Sequence, residues 1–261
     1  MRFSRKQLGI PYAVFLICFV IAPLLVVLYY AFTNGQGQFT VQNFVNFFTS
    51  ENTIGTLAYS LVTAMTVTAC CTLVAYPVAY ILARSDIKKK NVLLVLFIAP
   101  MWINFTLRVV ALKEVLTMVE GNLAYHPFLN TVLGMTYDFL PFMILPLYTT
   151  LEKLDKSYLD AAADLGASPV ITFMKVTLPL SMPGLISGVT MVFLPSMTNY
   201  VILDMLYNST YIMGSLIGSY FHAYDWNSGS MISIVLLAII FLVTWATNGF
   251  SEEETTRGAF L

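Results

Sequence analysis

The sequence predicts an all-α polytopic membrane protein: six transmembrane helices, one long cytoplasmic loop and no separate soluble domain. Three observations predict it. Of the 261 residues, 58% are hydrophobic and only 10% are charged, against roughly 25% charged in a soluble domain. The apolar residues gather into segments long enough to cross a bilayer, which takes about 20 residues of helix. The Lys and Arg residues gather between alternate segments, as they do in loops left on the cytoplasmic side.

Six segments qualify, at 9–32, 54–83, 91–112, 129–151, 183–206 and 228–248. The first follows Arg2, Arg5 and Lys6, like the start of a secretory leader. Its apolar stretch exceeds the roughly 7–15 residues of a leader's core, and no small-x-small cleavage site follows it. It is expected to be retained as a span. Pro23, Pro77, Pro100, Pro141, Pro146 and Pro195 fall inside spans. Membrane helices tolerate proline where neighbours satisfy the freed carbonyls, so kinks are expected rather than breaks. Cys18, Cys70 and Cys71 lie in apolar stretches and read as reduced packing residues. They form no disulfide framework or metal spacing.

Orientation follows from the cations. The N-terminus carries Arg2, Arg5 and Lys6. The second connection carries Arg84, Lys88, Lys89 and Lys90, the fourth Lys153, Lys156 and Lys175, and the tail Arg257. Loops 33–53 and 207–227 carry no Lys or Arg. Both termini are therefore expected in the cytoplasm of a multi-pass protein of the cell membrane. Arg108 and Lys113, at the outer end of the third span, are exceptions to the pattern.

The longest cytoplasmic loop is then 152–182, and it holds a polar island, Asp160-Ala161-Ala162-Ala163-Asp164-Leu165-Gly166. Ser157 with Asp160 three residues on reads as a capping box that starts a helix. Gly166 reads as its stop, and Ser168-Pro169 as the start of a second short helix. Two short helices on the cytoplasmic surface are expected, built either to meet a soluble partner or as a plain amphipathic connector.

The island resembles the EAA motif of binding-protein-dependent ABC importer permeases: Glu-Ala-Ala, three residues, Gly, then an apolar run ending in Leu-Pro. Asp160, Ala161, Ala162, Asp164 and Gly166 fit the first part, and Leu178 and Pro179 the end. Asp160 departs from the family Glu, which keeps the charge and shortens its reach. The segments 99–105, 140–148 and 151–156 are similar to the PotB-type permeases of spermidine/putrescine importers, with looser similarity through Asp225 and Trp226. The resemblance implies a type I ABC importer permease fold. It implies one transmembrane domain over 1–261, with a coupling loop at 152–182 and a tail at 249–261. It also implies a cytoplasmic ABC ATPase dimer, a second permease of the PotC type and an extracellular or periplasmic polyamine-binding protein.

The residues agree with such a division of labour. No G-x-x-x-x-G-K-[S/T] phosphate loop occurs, so ATP and Mg belong to a partner. No nucleophile–base or metal-ligand set is visible, and no enzymatic chemistry or cofactor is expected in this chain. Small residues on the island admit a close surface, and its carboxylates suit Arg or Lys on a partner.

An ionisable residue inside a span is a candidate for the transport pathway. Asp138 is the first, on a face shared with Asn130 and Gly134 and with Tyr137 alongside. The alternative is that it pairs with Arg108. Asp204, expected to close the fifth span, is the second. Trp102, Asn104, Asn199, Tyr200 and Tyr59 are further lining candidates, unless they belong to an interfacial belt. Acidic candidates favour a cation, especially a polyamine, while Arg108 and Lys113 keep ferric iron, sulfate or a phosphonate open as other cargoes. A secondary transporter or a membrane scaffold is the reading outside this class. Gly184 and Gly188 form a small-x-x-x-small pair for close helix packing, against a second permease subunit among other options. His126 and His222 receive no role, and the glycosylation pattern Asn208-Ser209-Thr210 reads as a chance match. Nothing suggests nucleic acid as a partner.

Overall fold

A computed structural model describes residues 5–85 and 87–258, with side chains placed from 10 to 245 except at 86. Arg2 and residues 259–261 lie outside the described residues, as do the side chains of Arg5, Lys6 and Arg257. The elements in order are α1 (Ile10–Ala31), α2 (Gln42–Thr49), α3 (Glu51–Arg84), α4 (Lys90–Trp102), α5 (Phe105–Glu120), α6 (Pro127–Lys153), α7 (Ser157–Asp164), α8 (Pro169–Thr198), α9 (Tyr200–Met205), α10 (Met213–His222) and α11 (Trp226–Gly258). Among the described residues no β-strand forms beyond an isolated bridge between Thr33 and Phe39. Among the described residues five helices are long and apolar enough to cross a membrane, and α4 with α5 make a sixth if a bent pair counts as one span.

That bent pair corrects the straight third span expected at 91–112. The axis turns by 100° between α4 and α5. Pro100 cannot donate a backbone hydrogen bond, and the chain tightens into a 3-10 turn from Ala99 to Trp102 before Ile103 goes extended. Asn104 then starts a new helix, its Oδ1 accepting the N–H groups of Thr106 at 3.0 Å and Leu107 at 3.4 Å. An N-cap supplies the partners that the first turn lacks, so the new axis owes nothing to the old one.

The fifth span is also redrawn. No separate second surface helix forms at 169. Ser168 caps Ile171 N–H, and α8 then runs unbroken from Pro169 to Thr198. A π-turn at Phe173–Thr177 makes this possible, with Leu178 N–H reaching back five residues to Phe173 O. It falls directly before Pro179, which has no N–H of its own to give. The same device precedes Pro23 in α1, where Ala22 N–H reaches Ile17 O across the π-turn Ile17–Ile21. At the far end of α8 no such turn follows Pro195. The helix stops, and Asn199 breaks the backbone at φ −79°, ψ 83° with its N–H on Pro195 O at 2.8 Å. Asp204 thus sits on the separate α9 and not at the end of the span.

The described residues fall into two compact units, one within Met1–Leu57 with Met213–Phe241, the other within Ala58–Ile212 with Leu242–Leu261. In the first, the last carbonyls of α1 lack helical partners, as at any helix end. Side-chain amides supply them. Asn43 Nδ2 donates to Ala31 O and Thr33 O, each at 3.0 Å. Asn227 Nδ2 donates to Tyr30 O at 3.0 Å and Thr33 O at 2.7 Å.

In the second unit, α6 and α8 pack antiparallel. A Cβ on Gly184 would lie 2.5 Å from Thr150 Oγ1 and 2.8 Å from Pro146 O, and one on Gly188 would lie 2.5 Å from Met143 Sδ. The Gly184/Gly188 pair therefore serves close packing inside this chain. The core around it takes Cys71, Ala75 and Ala79 from α3, Met143, Leu147 and Leu151 from α6, and Val192 from α8. Cys71 is buried, Cys18 is exposed, and all three cysteines are free.

Candidate functional site

Two places concentrate the polar chemistry of the second unit: the helix α7, and a buried ion pair between α5 and α6.

α7 begins on a different cap from the one the sequence suggests. Asp155 Oδ1 accepts Ser157 N–H at 2.9 Å, and Ser157 is the first helical residue rather than the cap. The Ser157–Asp160 capping box does not form, because a charged acceptor two residues upstream takes the job. That hydrogen bond holds the Asp155 carboxyl below its usual range. The stop is as expected. Gly166 lies at φ 76°, with its N–H on Ala163 O at 2.9 Å and Ala167 N–H on Ala162 O at 3.0 Å. This is the Schellman pattern, which favours glycine at the left-handed position.

Ala162 is the one buried residue of α7. Ala161, Ala163, Asp160 and Asp164 are exposed. The two carboxylates stand four residues apart, on one face. Beside them Leu165 is 88% exposed and Val170 71% exposed, with Tyr158 and Met174 also exposed. Exposed apolar side chains ringed by charge mark an interaction surface. Leu178 and Pro179 lie half-buried in α8, just past the π-turn.

The end of α6 and the start of α8, which flank α7, are held by residues that the sequence did not single out. Arg84 Nη1 donates to Leu154 O at 3.0 Å, catching the chain where α6 ends. Lys90 Nζ lies 3.1 Å from Glu152 Oε1, which also accepts Tyr148 Oη–H at 2.7 Å. Phe173 meets Tyr76 and Tyr80 edge-on, at centroid distances of 5.5 and 5.8 Å, and Tyr76 Oη pairs with Ser181 Oγ at 2.6 Å. Tyr76 and Tyr80 four residues apart were the signal in the sequence, since such spacing sets two rings on one helix face.

The buried pair joins Arg108 Nη2 to Asp138 Oδ1 at 2.7 Å, with side chains 7% and 3% exposed. Arg108 Nε and Nη1 have no hydrogen-bond partner among the described residues. The contact is charge on charge rather than an aligned fork. Lys113, the other cation outside the orientation pattern, donates to Tyr207 Oη at 3.1 Å and lies 4.3 Å from the centre of that ring. Both exceptions thus have internal partners.

The face that carries Asp138 is packed shut along its length. Asn130 Nδ2 donates to Glu120 Oε2 at 2.7 Å and Leu123 O at 3.0 Å. A Cβ on Gly134 would lie 2.6 Å from Leu206 Cδ1. His126 Nδ1 meets Glu120 Oε1 at 2.5 Å. Asn208 is buried, donating to Tyr59 Oη and Thr131 Oγ1 at 2.9 Å each, which leaves it unavailable as a glycan acceptor.

The other candidates are spread out. Trp102 is 78% exposed at the end of α4, Asn104 is spent as a cap, and Asp204 and Tyr200 are exposed. Asn199 Oδ1 is buried without a partner among the described residues. Among the described residues no hydrogen bond or ring contact joins Asp138, Asp204, Trp102, Asn104, Asn199, Tyr200 or Tyr59 to one another. Buried hydroxyls at Thr63, Thr68 and Thr136, without partners among the described residues, were not foreseen. Nor is any group of three metal-ligating side chains present among the described residues.

Fold and site together define a multi-pass helical membrane subunit that presents a charged helix between its fourth and fifth spans. The chain belongs to the family of binding-protein-dependent transport system inner membrane components, whose family model matches residues 75–251. It is a transport subunit and not itself an enzyme. The spermidine/putrescine transport system permease protein PotB of Haemophilus influenzae is 34% identical over 95% of this chain and 94% of its own. PotB of Escherichia coli K12 is 34% identical over 76% of this chain and 79% of its own. The fold matches a bacterial ABC transporter that imports the acidic polysaccharide alginate, with TM-score 0.70 at 14% identity over 95% of this chain and 94% of that one. It also matches the MetNI methionine ABC transporter, with TM-score 0.58 at 17% identity over 78% of this chain and 99% of that one.

Proposed function

We propose that the protein is the PotB-type permease subunit of an ATP-driven importer of polyamines, spermidine or putrescine. The observation that carries this is its 34% identity to a spermidine/putrescine permease over nearly the whole of both chains. The geometry of α7 supports the mode of drive. α7 faces the cytoplasm and docks on an ABC ATPase dimer, which holds the ATP and Mg. Asp160 and Asp164 meet Arg or Lys there, and Leu165 and Val170 enter an apolar groove. Motion of the ATPases reaches α6 and α8, which flank α7, so one two-state element biases the pathway. A PotC-like permease and a polyamine-binding protein complete the complex.

The test is reconstitution in liposomes with the cognate ATPase, second permease and binding protein. ATP-dependent uptake of putrescine or spermidine is expected. No uptake from a complex that hydrolyses ATP would falsify the reading of the cargo. An anionic cargo is the second reading, favoured by the unpaired Nε and Nη1 of buried Arg108. Uptake of sulfate or a phosphonate in the same liposomes, with none of putrescine, would replace the first reading by the second.

A further inference from the structure

Between α3 and α4 the chain reads Arg84-Ser85-Asp86-Ile87-Lys88-Lys89-Lys90. Two contacts tie the end of α6 to this turn: Arg84 Nη1 on Leu154 O at 3.0 Å, and Lys90 Nζ on Glu152 Oε1 at 3.1 Å. Lys153 and Lys156 are thereby brought to the same corner of the second unit. Arg84, Lys88, Lys89, Lys90, Lys153 and Lys156 outnumber Asp86, Glu152 and Asp155 there by two to one.

The described carboxylates of the corner are engaged. Glu152 takes Lys90 and the Tyr148 hydroxyl, and Asp155 caps Ser157 N–H. Lys88, Lys89, Lys153 and Lys156 are exposed. Among the described residues no hydrogen bond or ion pair engages their ammonium groups. Exposed charge alone names no partner, since water satisfies it.

The surface beside the lysines does name one. α4 leads away from them with Val92, Val95 and Leu96 on one face, spaced i, i+3, i+4, and these side chains are 64%, 49% and 67% exposed. α4 and α5 together are apolar enough for a broken span, and an exposed apolar face of a span meets acyl chains. Lys88 lies four residues before Val92, at the level where acyl chains give way to headgroups, with Ile87 exposed next to it. A lysine stem lies on apolar surface while its ammonium reaches the polar layer.

We propose that this corner binds the headgroup of an anionic phospholipid. Lys88 and Lys89 hold the phosphodiester, Lys153 adds a third cation, and the acyl chains run along Val92 and Leu96. Four to eight cations at the end of a span suit such lipids. A zwitterionic headgroup fits worse, because it brings an ammonium of its own. An acidic protein surface fits worse, because the cations border an apolar face that continues into a span. The proposal needs only that α3, α4 and α6 end at a membrane surface here, and it is independent of the cargo.

The experiment uses the assembled complex in detergent micelles. The probe is tail-labelled phosphatidylglycerol, with phosphatidylcholine carrying the same label as its match, and binding is read by fluorescence anisotropy. Phosphatidylglycerol is expected to bind saturably and about tenfold more tightly, and to lose that preference in about 1 M salt, where charges are screened within roughly 3 Å. Lys88→Gln with Lys89→Gln is the main variant. Both side chains are exposed, so its melting temperature is expected to be unchanged. Its affinity for phosphatidylglycerol is expected to fall roughly 25-fold, about fivefold for each lysine. Lys88→Arg with Lys89→Arg keeps the charge and is expected to bind like the wild type. Equal affinity for the two lipids, or unchanged binding by the Gln variant, overturns the proposal. So does displacement of the lipid by free glycerol phosphate, since a soluble anion would then suffice. Loss of the ATPase from the Gln variant's complex also overturns it, by giving the corner to that protein. Failure on these counts with putrescine uptake intact leaves the import reading standing, and lipid binding without uptake leaves this site standing.

Discussion

α7 and the Arg108–Asp138 pair hold their carboxylates in opposite ways. Asp160 and Asp164 stand in solvent on a short helix that buries one alanine. Asp138 is buried against a guanidinium 2.7 Å away. The exposed carboxylates stabilise little where they stand, since surface charges contribute about 0–1 kcal/mol. The buried carboxylate meets its match inside the chain, and removing either partner leaves a charge stranded in a poorly polar interior. One region turns its carboxylates to solvent, and the other holds its carboxylate against a guanidinium inside the chain.

The sharpest way to break this comparison is to cut the buried pair. Asp138→Ala is expected to destabilise the fold by about 3–5 kcal/mol, the usual penalty for one partner lost from a buried pair, read as a lower melting temperature in detergent and a lower yield. The double change Arg108→Met with Asp138→Leu is expected to restore most of that loss. A double variant as unstable as the single one would show that the pair's charge is not the cause.

Asp160→Lys is the opposite experiment. Folding is expected to be unchanged, because the side chain is exposed, while ATP-driven uptake is lost or the ATPase no longer copurifies. Wild-type transport and assembly would show that the charge of α7 is dispensable.

Gly188→Ala lies between the two, a packing change with no charge. The added methyl meets Met143 Sδ at 2.5 Å and its Cα at 3.4 Å. Overpacking of this kind costs roughly 1–3 kcal/mol, though the thioether can swing aside, so the low end is expected in a thermal melt. Gly184→Ala, which meets backbone at Pro146 O, should cost more than Gly188→Ala.

The smallest effect is expected from pH at the cap of α7. The Asp155 carboxyl is held low by Ser157, so its contribution is complete above the ordinary carboxylate range and fades as pH falls through the lowered value. Hydrogen exchange of the Ser157 amide should quicken in that acid window in wild type, relative to other amides, and show no such step in Asp155→Asn.

The sequence carried the number of apolar segments, the place of the island and its glycine stop, because length, charge and a left-handed glycine are local signals. It did not carry the 100° turn after Trp102. Pro100 reads the same before a kink as before a break, and only the Asn104 cap decides between them. It also misjudged Ser168-Pro169 as a separate helix, since no residue pattern announces a π-turn that lets α8 run past Pro179. The two candidate carboxylates of the pathway parted for the same reason. Pairing of Asp138 depends on where the bend points Arg108, and the exposure of Asp204 depends on where Pro195 ends α8.

The unbroken run of α8 has a mechanical meaning. Its 30 residues, at about 1.5 Å each, make a rod of roughly 45 Å that starts next to α7 and ends at the Asn199 break. Tilting such a rod by about 10° shifts its far tip by roughly 8 Å. A loop of two separate helices would put Pro169 and the Asn199 break on different bodies, whereas one continuous helix through the π-turn Phe173–Thr177 joins them.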